Sequence, residues 1–106
     1  MARVLLNMKA SATAGEIVTV KLLISHPMES GQRHDETGKT VQRDIINDLR
    51  CRYGEAEVLH LELYPAIAAN PFFEFTFRAE KSGTVAISWV DDEGVAGFVQ
   101  RDIEVA

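Results

Sequence analysis

Apolar residues alternate with polar residues along most of this chain, and this period of two constrains the fold more than any other feature. Successive side chains of a β-strand point to opposite faces of a sheet, so strict alternation is typical of a strand with one buried face. Runs of this kind are short and separated by polar residues. Seven of them occur, at positions 2–8, 18–25, 50–53, 59–63, 73–79, 85–89 and 99–105.

Glycine-containing turns lie between several of these runs, as in a protein built from successive antiparallel strands. We therefore predict an all-β protein, an immunoglobulin-like antiparallel β-sandwich of about seven strands, with residues 1–106 as one domain. Trp89 and the phenylalanines at 73, 75 and 77 are expected to face the core. Residues 43–49 fit a single helical turn, a short strand or an irregular edge equally well.

Charge and hydropathy exclude two classes of partner. The chain carries 16 acidic and 11 basic residues, for a net charge of -5, and its basic residues are scattered rather than clustered. A nucleic-acid partner would require clustered Lys and Arg, and a membrane span about 20 consecutive apolar residues. We therefore predict no nucleic acid and no membrane among its partners. The N-terminal segment has too few consecutive apolar residues for the ~7–15 of a signal peptide.

No arrangement of residues predicts catalysis or a bound cofactor. Cys51, His26, His34 and His60 are the obvious candidates, but their spacing matches no catalytic or metal-binding motif. We therefore predict no catalytic residues, no metal and no cofactor. Cys51 is interpreted as a small buried residue, with an intermolecular disulfide or a reactive thiol as alternatives. A redox or metal-binding sandwich that uses Cys51 and the histidines remains a weaker alternative function.

Two polar segments interrupt the β pattern, at residues 26–46 and 63–73. Loops that only join strands usually have about four to six residues, and long, chemically diverse loops on a rigid scaffold tend to carry function. A third polar stretch, the acidic turn of Asp91, Asp92 and Glu93, is interpreted as a solvated turn. Function is therefore expected in the two long segments.

These two segments resemble the hallmark sequences of the SoxZ family, the small subunit of the sulfur-oxidation carrier complex. The first reads KLLISHPMESGQRHDETGKTVQRDII, from position 21 to 46, and the second ELYPAIAANPFFEF, from 62 to 75. Two departures occur, because Val41 and Gln42 stand where the family usually has Ile-Pro, and Leu49 replaces a common Phe. The first departure loosens the expected backbone constraint before Arg43.

The resemblance implies an immunoglobulin-like sandwich that pairs with a SoxY-type subunit. In that family the partner's flexible Gly-Gly-Cys-Gly-Gly terminus carries sulfur intermediates between the periplasmic enzymes of thiosulfate oxidation. We therefore expect a non-catalytic subunit that binds and orients its partner, located in the periplasm and exported with that signal-bearing partner. A docking platform for the other Sox enzymes, through transient contacts, is the alternative. A homodimer is expected when the chain is isolated, because an exposed apolar patch favours self-association.

Residues of the two segments are the candidates for the partner interface. They are His26, Met28, Arg33, Asp35, Arg43, Pro65, Ile67, Asn70, Pro71 and Phe72. Arg33 and Arg43 suit bidentate pairing with carboxylates, although a solvated charge at Arg33 and an internal salt bridge from Arg43 to Asp35 or Asp44 are equally compatible. His26 and Met28 are expected to pack the base of the first segment, with contact to the sulfur-bearing arm as the alternative.

Overall fold

The alternating runs form β-strands in the computed structural model, which describes residues 3–65 and 67–106. Every element in this part of the chain is a strand. The strands are β1 (Val4–Asn7), β2 (Ser11–Ala12), β3 (Glu16–Ile24), β4 (Ile46–Tyr53), β5 (Ala56–Glu62), β6 (Phe72–Ala79), β7 (Gly83–Asp91) and β8 (Ala96–Val105). No helix among the described residues is long and apolar enough to cross a membrane.

The strands form two sheets, one of three strands in the order β1-β3-β6 and one of five in the order β2-β8-β7-β4-β5. Neighbours pair antiparallel, except that β2 pairs parallel with β8. The chain therefore passes from one sheet to the other between β1 and β2. The predicted all-β, immunoglobulin-like sandwich is confirmed, with eight strands instead of about seven. The additional strand, β2, has two residues, which is too short to produce a recognisable alternation.

The core lies between the sheets and is made of the apolar positions of the alternating runs. In β3, Val18, Val20, Leu22 and Ile24 are fully buried while the residues between them are exposed. Such alternation means that one strand face packs on the opposite sheet. Three phenylalanines of β6, at 73, 75 and 77, and Trp89 of β7 also face this core, as predicted. Its fully buried members on the five-stranded sheet include Ile46, Leu49, Cys51, Val85 and Ile87.

Residues 46–49 belong to β4, so the strand alternative is correct for this part of residues 43–49. The hairpin between β4 and β5 aligns Cys51 with Leu59 and Arg50 with His60. Cys51 is fully buried, whereas the His60 ring accepts or donates a hydrogen bond at 2.7 Å with the Asp48 carboxylate on the exposed face. The two side chains therefore lie on opposite faces of the sheet and form no catalytic pair.

Candidate functional site

The two polar segments meet at one end of the sandwich, where two hydrogen bonds join His26 and Asn70. The His26 N–H donates to Asn70 Oδ1 at 3.1 Å, and the Asn70 N–H donates to the His26 carbonyl at 2.8 Å. Asn70 has a φ of 52°, a left-handed conformation that asparagine tolerates better than most residues. Segments that are far apart in sequence are thus joined at a single point.

The His26 side chain is buried beneath this junction and is bonded through both ring nitrogens. The Met28 N–H donates to Nδ1 at 2.9 Å, so the ring carries its proton on Nε2, which donates to Asp91 Oδ2 at 3.2 Å. Met28 adopts a φ of 48°, which costs energy in a residue with a side chain. Its sulfur accepts the Ile46 N–H at 3.2 Å, which ties this turn to β4.

Asp44 completes a cluster with His26 and Asp91, since one ligand atom of each residue lies within 4.8 Å of the others. Asp44 Oδ1 is buried and has no hydrogen-bond partner within residues 3–65 and 67–106; His26 Nε2 is 3.9 Å away. Burial, followed by the nearby negative charge of Asp91, raises the pKa of Asp44 above its ordinary value. Ionised Asp44 has a buried, unpaired Oδ1 on a side chain that is 20% exposed, and it is therefore an unfavourable charge in the folded protein.

The hydrogen bonds of His26 make this cluster a poor metal site. A histidine that binds a metal through Nε2 carries its proton on Nδ1 and usually donates it to a carbonyl or carboxylate. Here Nδ1 instead faces the Met28 N–H, so metal binding at Nε2 would move the ring proton and break that bond. The geometry instead favours a hydrogen bond between His26 and Asp91, with Asp44 beside it.

Replacing Asp44 with asparagine is expected to stabilise the protein at pH 7 by about 1 kcal/mol, because it removes an unsatisfied buried charge. A carboxyl whose pKa is raised on folding stabilises the folded state only while it is protonated. The free-energy cost of Asp44 is thus absent below its ordinary pKa and grows as the pH rises from that value. It is complete above the raised pKa of the folded state. Thermal melts of both proteins between pH 3 and 8 measure this difference.

The advantage of Asp44→Asn should therefore shrink as the pH falls and disappear in the acidic range. Glu36→Gln is the control, because it removes a carboxylate that is exposed at the tip of the first segment. An advantage of equal size at every pH, or the same gain in Glu36→Gln, would contradict the assignment of Asp44 as a buried, unfavourable charge.

Asp92 anchors the end of the first segment to the turn after β7. Its carboxylate accepts hydrogen bonds from Arg43 Nε at 2.7 Å, from Asn47 Nδ2 at 2.9 Å and from the Ile45 N–H at 3.2 Å. The Arg43 hydrogen bond is the largest of several effects that lower the pKa of Asp92 to about 2. Arg43 therefore forms an internal salt bridge, but with Asp92 rather than with Asp35 or Asp44.

The interpretation of the acidic turn as solvated is wrong for Asp91 and incomplete for Asp92, which is exposed but hydrogen-bonded. Asp91 is buried and bonded to His26, and the Asp92 carboxylate is held by the contacts described above. Of the three acids in this turn, only Glu93 is exposed and has no side-chain hydrogen bond to the described residues. The turn was misinterpreted because its bonding partners come from positions more than 40 residues away.

Residues 29–44 form a hairpin arm, with bridges from Glu29 to Asp44 at its base and from His34 to Thr40 near its tip. Residues 32–40 are exposed. Asp35 closes the tip, because its Oδ1 accepts the N–H groups of Thr37 and Lys39 at 2.9 and 3.0 Å. An isolated two-stranded hairpin is marginally stable in water, so its attachment at the base is important.

Arg33 pairs with Glu29 inside the arm, with 2.7 Å between Nη2 and Oε1. This hydrogen bond lowers the pKa of Glu29 below its ordinary value. The Arg33 guanidinium itself is largely exposed, so the pair is weak and leaves donors free. The arm therefore presents charged groups to solvent without using all of their bonding capacity.

The remaining interface candidates differ in exposure. Pro71 is buried, Pro65 and Ile67 are half-buried, and Phe72 is 57% exposed. Ala66, which matches the second hallmark, lies outside the described residues. Contact of any candidate with a partner remains a prediction, and among these apolar residues Phe72 offers the largest accessible surface.

A cleft of about 690 Å³ opens beside the His26 cluster. It is lined by Trp89 and by the carboxylates of Asp44, Asp91 and Glu93, together with Val4 of β1 and residues 95–98 at the start of β8. A smaller hollow of about 350 Å³ lies next to it and shares Val4 and Ser25 with the cleft. Five of the large apolar residues that are most exposed lie in or beside these depressions: Leu5, Leu23, Phe72, Val95 and Phe98.

Cys51 lies in the core and is not part of the His26 cluster. It is fully buried in β4, and burial raises the pKa of its thiol to about 11. A thiolate is the reactive form of cysteine, so this residue is chemically inert at neutral pH. The structure supports the interpretation of Cys51 as a small buried residue.

Sequence reasoning missed the acidic partners of the site. His26 was singled out, but Asp44 and Asp91 are 18 and 65 positions from it, and no local motif connects them. The one available signal was that buried strand ends at 44–46 and 89–91 each carry an acidic residue beside apolar ones. That signal does not reveal which residues meet.

Two sheets of this topology, with the two polar segments joined at one end, define an immunoglobulin-like β-sandwich whose candidate functional residues lie in its loops. The model of the family described as "Sulphur oxidation protein SoxZ" matches residues 6–98, which include both polar segments. The chain therefore belongs to the SoxZ family of sulfur-oxidation proteins. No curated protein matches the sequence.

Solved structures with the same fold have low sequence identity to this chain. A superoxide reductase (neelaredoxin) from Ignicoccus hospitalis is 15% identical, with a TM-score of 0.72 and coverage of 97% of this chain and 80% of its own. The sulfur carrier protein SoxY from Chlorobium limicola is 13% identical, with a TM-score of 0.68 and coverage of 97% and 78%. At these identities the similarity establishes the fold alone.

Proposed function

We propose that this chain is the non-catalytic subunit of a SoxYZ-type sulfur carrier, and that it binds and orients the SoxY-type subunit that holds the sulfur intermediate. The observation that carries this proposal is the family match over residues 6–98, which contains both segments at the functional end. The role is that of a scaffold, because the partner supplies the reactive thiol. Its proposed location is the periplasm, which it reaches together with a signal-bearing partner.

An exposed apolar row on the three-stranded sheet supports a protein partner. The strand register places Leu5 of β1 opposite Leu23 of β3, and Leu23 opposite Phe72 of β6. All three are exposed, at 68%, 36% and 57%. Apolar side chains that are adjacent on a surface, rather than scattered, are typical of a binding site.

The state of Cys51 also favours a scaffold over a redox protein. Its thiol is buried and has a raised pKa, so it is unsuited to carry sulfur or to exchange with a disulfide. His34 and His60 are not members of the His26 cluster found in the described part of the chain. These observations weaken the alternative that combined Cys51 with the histidines. Transient docking of other Sox enzymes remains a prediction.

Mixing the chain with its SoxY-type subunit should give a stable one-to-one complex. Size-exclusion chromatography with light scattering at low micromolar concentrations measures this, since specific interfaces of about 1,200–2,000 Å² form stable complexes. A SoxY-type subunit without its carrier terminus should bind equally well, because a scaffold holds the partner's folded domain. Separate elution of the two chains would contradict the proposed function, and loss of binding without the terminus would contradict the scaffold mechanism.

A further inference from the structure

The first half of β8 has a strand edge whose hydrogen-bonding groups point away from its neighbour β7. The Asp91 N–H donates to the Val95 carbonyl, and Val90 is paired with Ala96. In an antiparallel ladder, residues alternate between pairs that exchange hydrogen bonds and pairs that do not. This bond assigns Val90 and Ala96 to the second type. The N–H and C=O groups of Ala96, Phe98 and Gln100 therefore point to the side away from β7.

The same edge already binds a strand further along β8. There the Glu104 N–H donates to the Ala10 carbonyl at 2.9 Å, and the Ala106 N–H donates to the Ala12 carbonyl at 3.1 Å. Glu104 and Ala106 are an even number of positions from Ala96, Phe98 and Gln100, so the N–H groups of all five point to the same side of β8. On that side β2 pairs with the end of β8 in parallel. Upstream of β2, no described strand lies along β8. The geometry needed for strand addition is thus present but unused at Ala96–Gln100.

This free edge lacks the features that normally protect an exposed strand. Proteins usually protect edges with charged residues, proline or bulges, and residues 95–99 read VAGFV, with none of these. Val95 and Phe98 are 50% and 60% exposed. Phe98 is paired with the exposed Ser88, so its ring lies on the outer face of the five-stranded sheet. An apolar, unprotected edge of this kind suggests a partner that covers it.

The charge of the adjacent cleft argues that this partner is not a second copy. Asp44, Asp91 and Glu93 line the cleft, and no lysine or arginine is among its described lining residues. The chain has a net charge of -5, so a second copy would bring further negative charge to an acidic site. A strand with apolar residues and a basic side chain, from a different protein, is the complementary occupant.

We propose that a strand of the SoxY-type partner adds to the free edge of β8 at residues 96–100. Its apolar side chains cover Phe98 and Val95, and a lysine or arginine lies next to Glu93. This inference rests on the proposed function for the identity of the partner. It assigns the interface to main-chain hydrogen bonds at a sheet edge, which were not among the interface candidates found in the sequence.

Amide-resolved hydrogen exchange by NMR, with and without the SoxY-type subunit, tests the assignment without any variant. The amides of Ala96, Phe98 and Gln100 should exchange at least about tenfold more slowly in the complex, because each becomes hydrogen-bonded to the added strand. A complex that forms while these amides remain unchanged overturns the inference but not the proposed function. Failure to form a complex overturns both. Protection that instead rises with the concentration of the isolated chain would show self-pairing and overturn the choice of partner.

A pair of substitutions at Phe98 separates the edge hydrogen bond from the ring. Both Phe98→Thr and Phe98→Pro remove the ring, but only proline removes the outward N–H, and proline is tolerated at an edge where that N–H faces solvent. Phe98→Pro should bind the SoxY-type subunit about tenfold more weakly than Phe98→Thr, because a partner carbonyl loses its donor. Trp89 fluorescence and thermal melts verify that both variants are folded. Equal affinities in two folded variants would overturn the inference.

Discussion

Gly97→Ala is expected to lower the free energy of unfolding by about 3 kcal/mol, the upper end of the cost of overpacking a core. Gly97 of β8 is paired with Trp89 of β7, whose indole ring is 6% exposed. A Cβ at Gly97 would overlap the ring atoms Cε2, Cζ2 and Nε1. Trp89 belongs to the core cluster apart from the part that lines the cleft, so moving its ring aside would displace other buried side chains.

Urea denaturation followed by Trp89 fluorescence measures this effect, since the chain has one tryptophan. Gly83→Ala is the matched control, because Gly83 is also a strand glycine and an added Cβ would lie 3.5 Å from its nearest neighbour atom, on Tyr53. That variant should change stability by less than about 0.5 kcal/mol. Equal stability of the two alanine variants would contradict the packing of Trp89 on Gly97.

If Gly97→Ala does not fold, a smaller side chain at position 89 provides the test. Trp89→Leu removes the ring that the new methyl group would overlap, so Gly97→Ala should cost little stability in the Trp89→Leu background. Residues in direct contact show such coupling, whereas distant residues add independently. Circular dichroism, which needs no tryptophan, compares the unfolding of Trp89→Leu with that of the double variant. A double variant that does not fold while Trp89→Leu does would show that Trp89 is not the obstacle.

Asp91→Ala is expected to destabilise the protein by about 2–3 kcal/mol, because it leaves one buried and two part-buried donors without their acceptor. Asp91 Oδ2 accepts from the buried His26 ring, and Oδ1 accepts from the Glu93 and Val95 N–H groups at 3.0 and 2.9 Å. Asp91 Oδ2 is 3.2 Å from His26 Nε2, whereas Asp44 Oδ1, the other acidic oxygen of the cluster, is 3.9 Å away and too far to replace it as an acceptor.

Glu93→Ala is the control for this substitution, because it removes an exposed carboxylate from the same turn. Its effect on unfolding in urea should be within about 0.5 kcal/mol. A solvated acidic turn would make the two variants equivalent, so similar stabilities would restore the original interpretation of residues 91–93. A large difference supports Asp91 as the residue that joins the β7 turn to the first polar segment.

The positions of most strands could be predicted because the alternation of a strand is local. The sequence predicts that one face of β3 is buried, and the structure agrees, with full burial of Val18, Val20, Leu22 and Ile24. The two-residue strand β2 could not be predicted, because its existence depends on pairing with β8 at the other end of the chain.

Part of the candidate site could be predicted in the same way. The two polar segments were identified by their length and composition, and the structure joins them at His26 and Asn70. Their bonding partners were not predictable, because Arg43 and Asp92 are 49 positions apart and either could have paired elsewhere. Likewise, nothing in the sequence distinguishes the buried Asp91 from the exposed Glu93 two positions later.

The fold class, the location of the core residues and the family follow from the order of the amino acids, because each depends on patterns along the chain. Which charges are paired, which acids are buried and which strand edge remains free follow from the packing of the folded chain. Those properties depend on residues that are distant in sequence and close in space. Folding brings Asp91 to His26 and leaves residues 96–100 with no described strand on the edge that points away from β7, and neither result is encoded in any local segment.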